Sequence, residues 1–312
     1  MKHYDAYLFD LYGTLVDIHT DEGRSAVWRA LAAYTPGSEA KGLKRRFAAL
    51  CLEREEALWQ KTAFPEIDLG PVFAELLDTD NPERIREAAW AFRRASTTHL
   101  RLYTGAKALL ERLRETGARV ILLSNAQALF TRPELELLGL DDAFHRIYLS
   151  SDYGRRKPDP AFFARPLEQL NLDPRRCLML GNDPDCDIRG AAAVGMDSFY
   201  LHTGLSPAFD HAAPATYIQK GADLRRVLSV LIQGKERPFM TMNEKTKLSD
   251  ILAANPWLSE ELPKKDQRFA VINTLAGKMM LKTMTLGDLS RLSGETVPVL
   301  IQDLEKLVKK HG

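Results

Sequence analysis

A short apolar strand that ends in a carboxylate constrains the fold of this 312-residue chain more than any other feature. Residues 7–9 are aromatic or aliphatic, Asp10 follows them directly, and Gly13 and Thr14 then break the pattern as a turn. Open α/β sheets bind their ligands at the carboxyl ends of parallel strands, where a carboxylate can act as a nucleophile. The alternative is a strand that simply ends in an aspartate, a residue that turns favour.

Two later segments, one at the end of a predicted strand and one after a loop, also carry polar side chains that could act on an anion. Residues 120–123 are aliphatic and lead into Ser124 and Asn125, so the Ser124 hydroxyl could bind a phosphate oxygen or cap the next helix. Lys157 stands directly before Pro158, which biases the lysine backbone towards an extended conformation. This second pattern fits either one fixed ammonium beside an anionic centre or a solvated basic loop.

A third segment, residues 177–188, runs from an apolar strand through Gly181 into Asp183, Asp185 and Asp187. Carboxylates this close repel one another unless a cation offsets them, and hard oxygen ligands suit Mg²⁺. The spacing does not match a calcium-binding EF-hand, which needs a twelve-residue loop that ends in Glu. An acidic cluster that only caps a helix is the alternative.

Taken in order, the four segments resemble the motifs of the haloacid dehalogenase-like (HAD) hydrolase superfamily, and the resemblance covers about residues 1–230. By position it implies a catalytic set of Asp10 as the nucleophile with Tyr12, Thr14, Ser124 and Lys157. The substrate-binding residues that it implies are Ser124, Asn125 and Lys157. It also implies a Mg²⁺ ion held by Asp10, the backbone carbonyl of Tyr12, and the acidic pair Asp183 and Asp187.

Tyr12 departs from the pattern of HAD phosphatases, which usually carry a second aspartate there as general acid and base. An aspartate is the better proton shuttle near neutral pH, because an unperturbed phenol has a pKa of about 10. Residues 10–15 are similar instead to 2-haloacid dehalogenases, whose halide leaving group needs no proton. Those enzymes tend to lack the acidic fourth motif, so this chain combines a dehalogenase-like first motif with a phosphatase-like fourth.

The order of strand and helix patterns predicts a doubly wound α/β core with two additions. Strands expected at about 6–10, 119–124, 146–149, 177–180 and 197–201 give a five-stranded parallel sheet. The core comprises residues 1–16 and 101–232, and the helical insertion at 17–100 resembles the C1 cap of the family. Residues 233–240 read as a linker, and residues 241–312 as a small all-α domain in which Thr285 begins a helix.

Composition narrows the function further. The net charge of +1, from 43 basic and 42 acidic residues, argues against nucleic-acid binding, and no apolar run is long enough to span a membrane. Three cysteines without metal-binding spacing, and an N-terminus without an apolar signal, predict a cytoplasmic protein. The C-terminal region is similar to small helical bacterial domains found near hybrid-cluster proteins, and could recruit a protein partner.

The prediction is therefore a Mg²⁺-dependent HAD hydrolase that cleaves a small phosphate ester through an aspartyl-phosphate intermediate. One alternative is a 2-haloacid dehalogenase-type enzyme that hydrolyses a carbon–halogen bond through an alkyl-aspartate. The other is a catalytically weak module that binds a phosphorylated metabolite.

Overall fold

The computed structural model describes residues 3–37, 39–207, 215–232, 243–254, 258–265, 280 and 283–311. The chain divides into two compact units, Met1–Leu228 and Ser229–Gly312. The linker predicted at residues 233–240 lies outside the described residues.

A parallel sheet lies at the centre of the first unit. Its strands are β1 (Ala6–Phe9), β4 (Arg119–Ser124), β5 (Arg146–Leu149), β6 (Cys177–Gly181), β7 (Asp197–His202) and β8 (Tyr217–Lys220). They pair in the order β5-β4-β1-β6-β7-β8, which confirms the doubly wound α/β class. The sheet has six strands rather than the predicted five, because β8 adds a short, partly exposed edge strand.

The register of the central strands brings three strand ends together. Phe9, the last residue of β1, pairs with Leu122 of β4 and with Leu180 of β6. All four residues of β1 are buried, as expected for a strand covered on both faces. The residues that follow β1, β4 and β6 therefore meet at one edge of the sheet.

Helices alternate with these strands and also fill the insertion. Those beside the sheet are α5 (Ala106–Glu115), α6 (Ala128–Leu138), α7 (Pro160–Gln169), α8 (Gly190–Ala193) and α9 (Leu224–Ile232). The cap, which we define as residues 17–100, contains α1 (Ser25–Ala32), α2 (Ala40–Trp59), α3 (Leu69–Leu77) and α4 (Pro82–Ser96). Its two ends are not helical, because β2 (Val16–Thr20) and β3 (Thr97–Leu102) pair there as an antiparallel ribbon.

An aromatic cluster holds the cap together and joins it to the core. Trp28, Phe47, Phe73 and Phe92 come from the four cap helices, and their rings contact one another. Phe130 of α6 belongs to the same cluster, with its ring centroid 6.3 Å from that of Phe92. The cap thus shares a hydrophobic core with the helix that follows β4, the strand that ends in Ser124.

The second unit is helical in its described parts. It contains α10 (Leu248–Ala254), α11 (Leu258–Lys265) and two further helices, Leu286–Ser293 and Val297–His311. Thr285 caps the third of these as predicted, because its hydroxyl accepts the Asp288 N–H while the Asp288 carboxylate accepts the Thr285 N–H. Among all the described helices, none has the length and apolar character needed to cross a bilayer.

Candidate active site

Asp10 lies at the centre of a group of buried polar side chains at the carboxyl ends of β1, β4 and β6. Its Oδ1 accepts hydrogen bonds from the Ser124 hydroxyl at 3.0 Å and from the Lys157 ammonium at 2.9 Å. Its Oδ2 accepts the Thr14 hydroxyl at 3.2 Å. The structure therefore brings four of the predicted catalytic residues into direct contact. Two of these three hydrogen bonds go to the same carboxylate oxygen, Oδ1 of Asp10.

Lys157 is buried between two carboxylates. Its Nζ lies 2.9 Å from Asp10 Oδ1, 2.7 Å from Asp187 Oδ1, and 2.8 Å from the Leu123 carbonyl oxygen. Burial alone would lower the pKa of Lys157, but the charges of the two aspartates outweigh that effect and raise the pKa above its ordinary value. The ammonium is thus charged throughout the physiological range.

Asn125 holds the backbone of Lys157 in place. Its Oδ1 accepts the Lys157 N–H at 2.7 Å, and its Nδ2 donates to the Lys157 carbonyl oxygen at 3.0 Å. The sequence suggested that Asn125 binds substrate, whereas both ends of its amide are engaged with the protein backbone. In this structure the side chain positions the lysine.

The three aspartates of the loop that follows β6 have different surroundings. Asp187 is buried, and its Oδ2 accepts the Asp183 N–H at 3.0 Å. Burial raises the pKa of Asp187 to about 7, with the charge of Asp10 adding to the effect and Lys157 opposing it. Asp183 caps the π-helical turn Pro184–Arg189, because its Oδ1 accepts the backbone N–H groups of Asp185 and Cys186. Asp185 is exposed and pairs with Arg189 at 2.6 Å.

Asn182 is a site residue that the sequence reasoning did not single out. It is buried, and its Oδ1 lies 3.2 Å from the Thr14 hydroxyl that bonds Asp10. Its amide lies so close to Gly13 that a Cβ there would approach Nδ2 to 2.2 Å, and Gly13 also has a positive φ of 86°. The available signal was its position directly after Gly181, at the end of the strand that pairs with β1.

Tyr12 points into a second buried cluster between the core and the cap. Its hydroxyl lies 3.0 Å from the Thr131 hydroxyl and donates to Glu134, both of which are on α6. Glu134 also pairs with Arg93 of α4, at 2.6 Å between Oε1 and Nε. Burial and the Glu134 charge raise the pKa of Tyr12 well above its ordinary value. No sequence pattern pointed to Arg93, Thr131 or Glu134 as site residues.

The cap also reaches the core on the side of Lys157. The Phe64 carbonyl oxygen accepts the Arg156 N–H at 3.0 Å, one residue before the lysine. Two residues further along the cap, Glu66 accepts hydrogen bonds from Ser150 and Gln127, and its burial raises its pKa. Cap residues therefore lie against the core both at Tyr12 and next to Lys157.

Comparison with known proteins places this arrangement among enzymes. A phosphoserine phosphatase from Thermus thermophilus is 33% identical over 183 residues, which cover 55% of this chain and 72% of that protein. A glyceraldehyde 3-phosphate phosphatase from Pyrococcus abyssi is 31% identical over 124 residues, or 40% of this chain and 52% of that one. The crystal structure of a HAD phosphatase from Thermococcus onnurineus shares the fold, with a TM-score of 0.50 at 24% identity over 74% of this chain and 98% of that one.

The family comparison covers the segments that form this site. The model of the haloacid dehalogenase-like hydrolases matches residues 4–195, a range that contains Asp10, Ser124, Lys157 and the loop after β6. Because this match spans more than half of the sequence, the chain belongs to the haloacid dehalogenase-like hydrolase family.

Proposed function

We propose that this protein hydrolyses a small phosphate ester, with Asp10 as the nucleophile. The observation that carries the proposal is the asymmetric bonding of the Asp10 carboxylate. Ser124 and Lys157 both donate to Oδ1, whereas in the described part of the chain Thr14 alone bonds Oδ2, at 3.2 Å. The carboxylate is thus held firmly by one oxygen, and the other is the better placed to attack phosphorus.

The reaction follows from the charges around Asp10. Oδ2 of Asp10 would form a bond to phosphorus as the bond to the leaving oxygen breaks, giving an aspartyl-phosphate. Lys157 and the Ser124 hydroxyl would stabilise negative charge on the transferring group. Attack of water on the aspartyl-phosphate would then release inorganic phosphate and restore the Asp10 carboxylate.

The proposal includes Mg²⁺ as the cofactor. The described residues contain no group of three or more His, Cys, Asp or Glu side chains arranged to hold a metal. Mg²⁺ does not require one, because it commonly keeps several waters and binds through one or two protein oxygens and substrate phosphate. Asp10, the Tyr12 carbonyl and one side-chain oxygen of Asn182, Asp183 or Asp187 would make a set of that kind. When bound, the ion would neutralise charge on the phosphoryl oxygens.

Tyr12 limits the choice of leaving group. Its hydroxyl is engaged by Glu134 and Thr131, and its pKa is raised, so it is a poor proton donor for a departing alkoxide. Aryl phosphates, whose aryloxide can leave without first gaining a proton, should therefore be hydrolysed faster than alkyl phosphates. The same observation favours a second candidate, carbon–halogen hydrolysis through an alkyl-aspartate, because a halide also leaves unprotonated.

The experiment is a panel of phosphate esters and 2-haloacids assayed for phosphate and halide release, each with Mg²⁺ and with excess chelator. We expect phosphate release that requires Mg²⁺, and a loss of at least about 10³-fold in Asp10→Asn. Asp185→Asn is the matched control, because Asp185 is an exposed aspartate of the neighbouring loop. Halide release that persists in chelator would favour the second candidate, and full activity of Asp10→Asn would exclude both.

We also propose that the enzyme acts in the cytoplasm on a small phosphorylated metabolite. Cys51, Cys177 and Cys186 are all free in the structure, as thiols are in a reducing compartment. The contacts of the cap beside Tyr12 and Lys157 would enclose a small substrate and restrict the entry of water.

A further inference from the structure

The side-chain amide of Gln127 bonds to the cap through both its nitrogen and its oxygen. Its Nε2 donates to Glu66 Oε1 at 2.9 Å and to the Ile67 carbonyl oxygen at 2.8 Å, and its Oε1 accepts the Leu69 N–H at 3.0 Å. A backbone N–H can only donate and a carbonyl can only accept, so these two backbone groups fix which end of the amide carries the nitrogen. Gln127 stands three residues after Ser124, and it therefore ties the loop that leaves β4 to one short segment of the cap.

The second carboxylate oxygen of Glu66 reaches the same loop through Ser150. Glu66 Oε2 accepts the Ser150 hydroxyl at 3.0 Å, and Ser150 Oγ accepts the Ala126 N–H at 2.8 Å. The Ala126 carbonyl oxygen also lies 3.3 Å from this hydroxyl, but a carboxylate is the stronger acceptor for its single proton. Glu66 is therefore connected to Ala126 as well as to Gln127.

The same cap segment pairs with the loop that leads to Lys157. The Glu66 N–H donates to the Gly154 carbonyl oxygen at 3.3 Å, and the Phe64 carbonyl oxygen accepts the Arg156 N–H at 3.0 Å. Both of the loops that carry donors to the nucleophile thus bond to one stretch of the cap.

Asn125 joins the two loops to each other. It follows Ser124 directly, and its amide bonds both the N–H and the carbonyl oxygen of Lys157. Ser124 and Lys157 both donate to Asp10 Oδ1. A shift of the cap segment would therefore displace the two donors together.

Glu66 contributes a partly buried carboxylate to this contact. Burial raises its pKa, the hydrogen bonds of Ser150 and Gln127 and the charge of Arg156 oppose that effect, and the charge of Glu55 adds to it. A glutamine at position 66 could keep both hydrogen bonds. Its oxygen would accept from Gln127, and its NH₂ group would donate to Ser150 Oγ, whose own proton could turn to the backbone.

We propose that Glu66 and Gln127 are positioning residues, which keep Ser124 and Lys157 aligned with Asp10 only while the cap is docked on the core. This inference rests on the proposed function. The two side chains act through the loops and not on the reacting atoms. Turnover should therefore depend on this contact even for a substrate too small to touch the cap.

The first test is turnover of the best substrate of the panel by full-length variants. At about pH 8, Gln127→Glu sets two carboxylates against each other and should lower kcat at least about tenfold, with KM within about threefold. Its kcat relative to the wild type should rise as pH falls, because a proton on either carboxyl group restores a donor. Gln60→Glu is the matched control, since Gln60 is an exposed glutamine of the cap.

Two further variants test whether the contact itself is responsible. Glu66→Gln should keep kcat within about threefold, because both of its hydrogen bonds can still form. Combined with Gln127→Glu, it restores a donor opposite the new carboxylate and should return kcat to within about threefold of the wild type. An unchanged kcat in Gln127→Glu, or a loss that the double variant does not recover, would overturn the proposal. So would a rise in KM alone, which would mean that the contact only admits substrate.

Hydrogen exchange followed by mass spectrometry gives a measurement that needs no turnover. Glu66→Ala should fold, because the aromatic cluster still joins cap and core. The amides of residues 124–128 should then exchange at least about threefold faster than in the wild type, whereas Gln60→Glu should leave them unchanged. Equal exchange in Glu66→Ala and the wild type would overturn the proposal. If the panel gives no activity, this result still decides whether the cap holds the loop, so the two failures are distinguishable.

Discussion

Replacing Glu134 by glutamine should destabilise the first unit by about 3 kcal/mol, although the two side chains have the same shape. Glu134 is the shared acceptor of the cluster between cap and core, where it receives the Arg93 guanidinium through Nε at 2.6 Å and through a second nitrogen at 3.4 Å. It also receives the Tyr12 hydroxyl. In Glu134→Gln the guanidinium stays in place without its counter-charge.

The magnitude follows from burial. The side chain of Glu134 is 1% exposed and that of Arg93 is 11% exposed, so solvent can do little to compensate an unpaired charge. Breaking a buried pair from one side costs about 3–5 kcal/mol. We take the lower end of that range because the guanidinium also lies over the Phe130 ring, 5.2 Å from its centroid, and retains that contact.

The assay is equilibrium unfolding in guanidinium chloride, with Arg132→Ala as the matched control on the same helix. Arg132 pairs with Asp152 at 2.8 Å, but the two side chains are 54% and 33% exposed, so its loss should cost at most about 1 kcal/mol. A double variant, Arg93→Met with Glu134→Leu, should recover most of the lost stability, since it removes both charges. A cost below about 1 kcal/mol for Glu134→Gln would contradict this prediction. So would a double variant whose loss of stability equals the sum of the losses in Arg93→Met and Glu134→Leu measured singly.

Three further predictions concern the site, its pH dependence and the second unit. Tyr12→Phe should keep kcat within about threefold of the parent, because the phenol bonds a buried acceptor and not the leaving group. The same variant should lower the free energy of unfolding by about 1–3 kcal/mol, because it leaves that buried acceptor without its donor. A large loss of kcat on alkyl phosphates would show instead that the phenol transfers the proton. Burial raises the pKa of Asp187 from 3.8 to about 7, so the folded state holds a proton that the unfolded state has lost, and the stability of the metal-free protein should fall as pH rises through this interval. Urea midpoints measured in chelator test this prediction, and Asp187→Asn should flatten the profile. Ending the chain after Ile232 preserves α9 and the whole first unit, so we expect unchanged turnover of small substrates. A truncated protein that is folded but inactive would show that activity requires the second unit.

The central strands could be predicted from sequence because burial on both faces produces a continuous apolar run. β1, β4 and β6 are of this kind, and their order along the chain and the polar residues at their ends followed from it. β8 was missed because it has four residues and a partly exposed pattern, which do not separate a strand from a loop. The pairing of β2 with β3 was missed because their partners are about eighty residues apart, beyond any local pattern.

The site could be predicted only as far as position in a strand determines it. Asp10, Ser124 and Lys157 were identified because they follow predicted strands or precede a proline, and the structure brings them together. Arg93 and Glu134 could not be identified, since each lies on an amphipathic helix where a charged residue is ordinarily solvated. Their pairing depends on how α4 packs against α6, which no local pattern specifies.

Tyr12 and Asn182 acquire a common explanation when the charges around Asp10 are considered together. Lys157 is one buried ammonium between two buried carboxyl groups, Asp10 and Asp187. When both are ionised, these three side chains carry an excess of one negative charge. Burial, and the charge of Asp10 in addition, raise the pKa of Asp187. A carboxylate at position 182 would add a negative charge next to the Thr14 hydroxyl that bonds Asp10, and one at position 12 would face Glu134 in the second buried cluster. A phenol and an amide fill those positions without adding charge, and each finds its partner in a side chain, Glu134 for the phenol and Thr14 for the amide. Under the proposed function, neutral side chains at positions 12 and 182 lower the demand for a tightly bound cation beside Asp10 and Lys157. We therefore expect the affinity for Mg²⁺ and the preference among leaving groups to change when either position is made acidic.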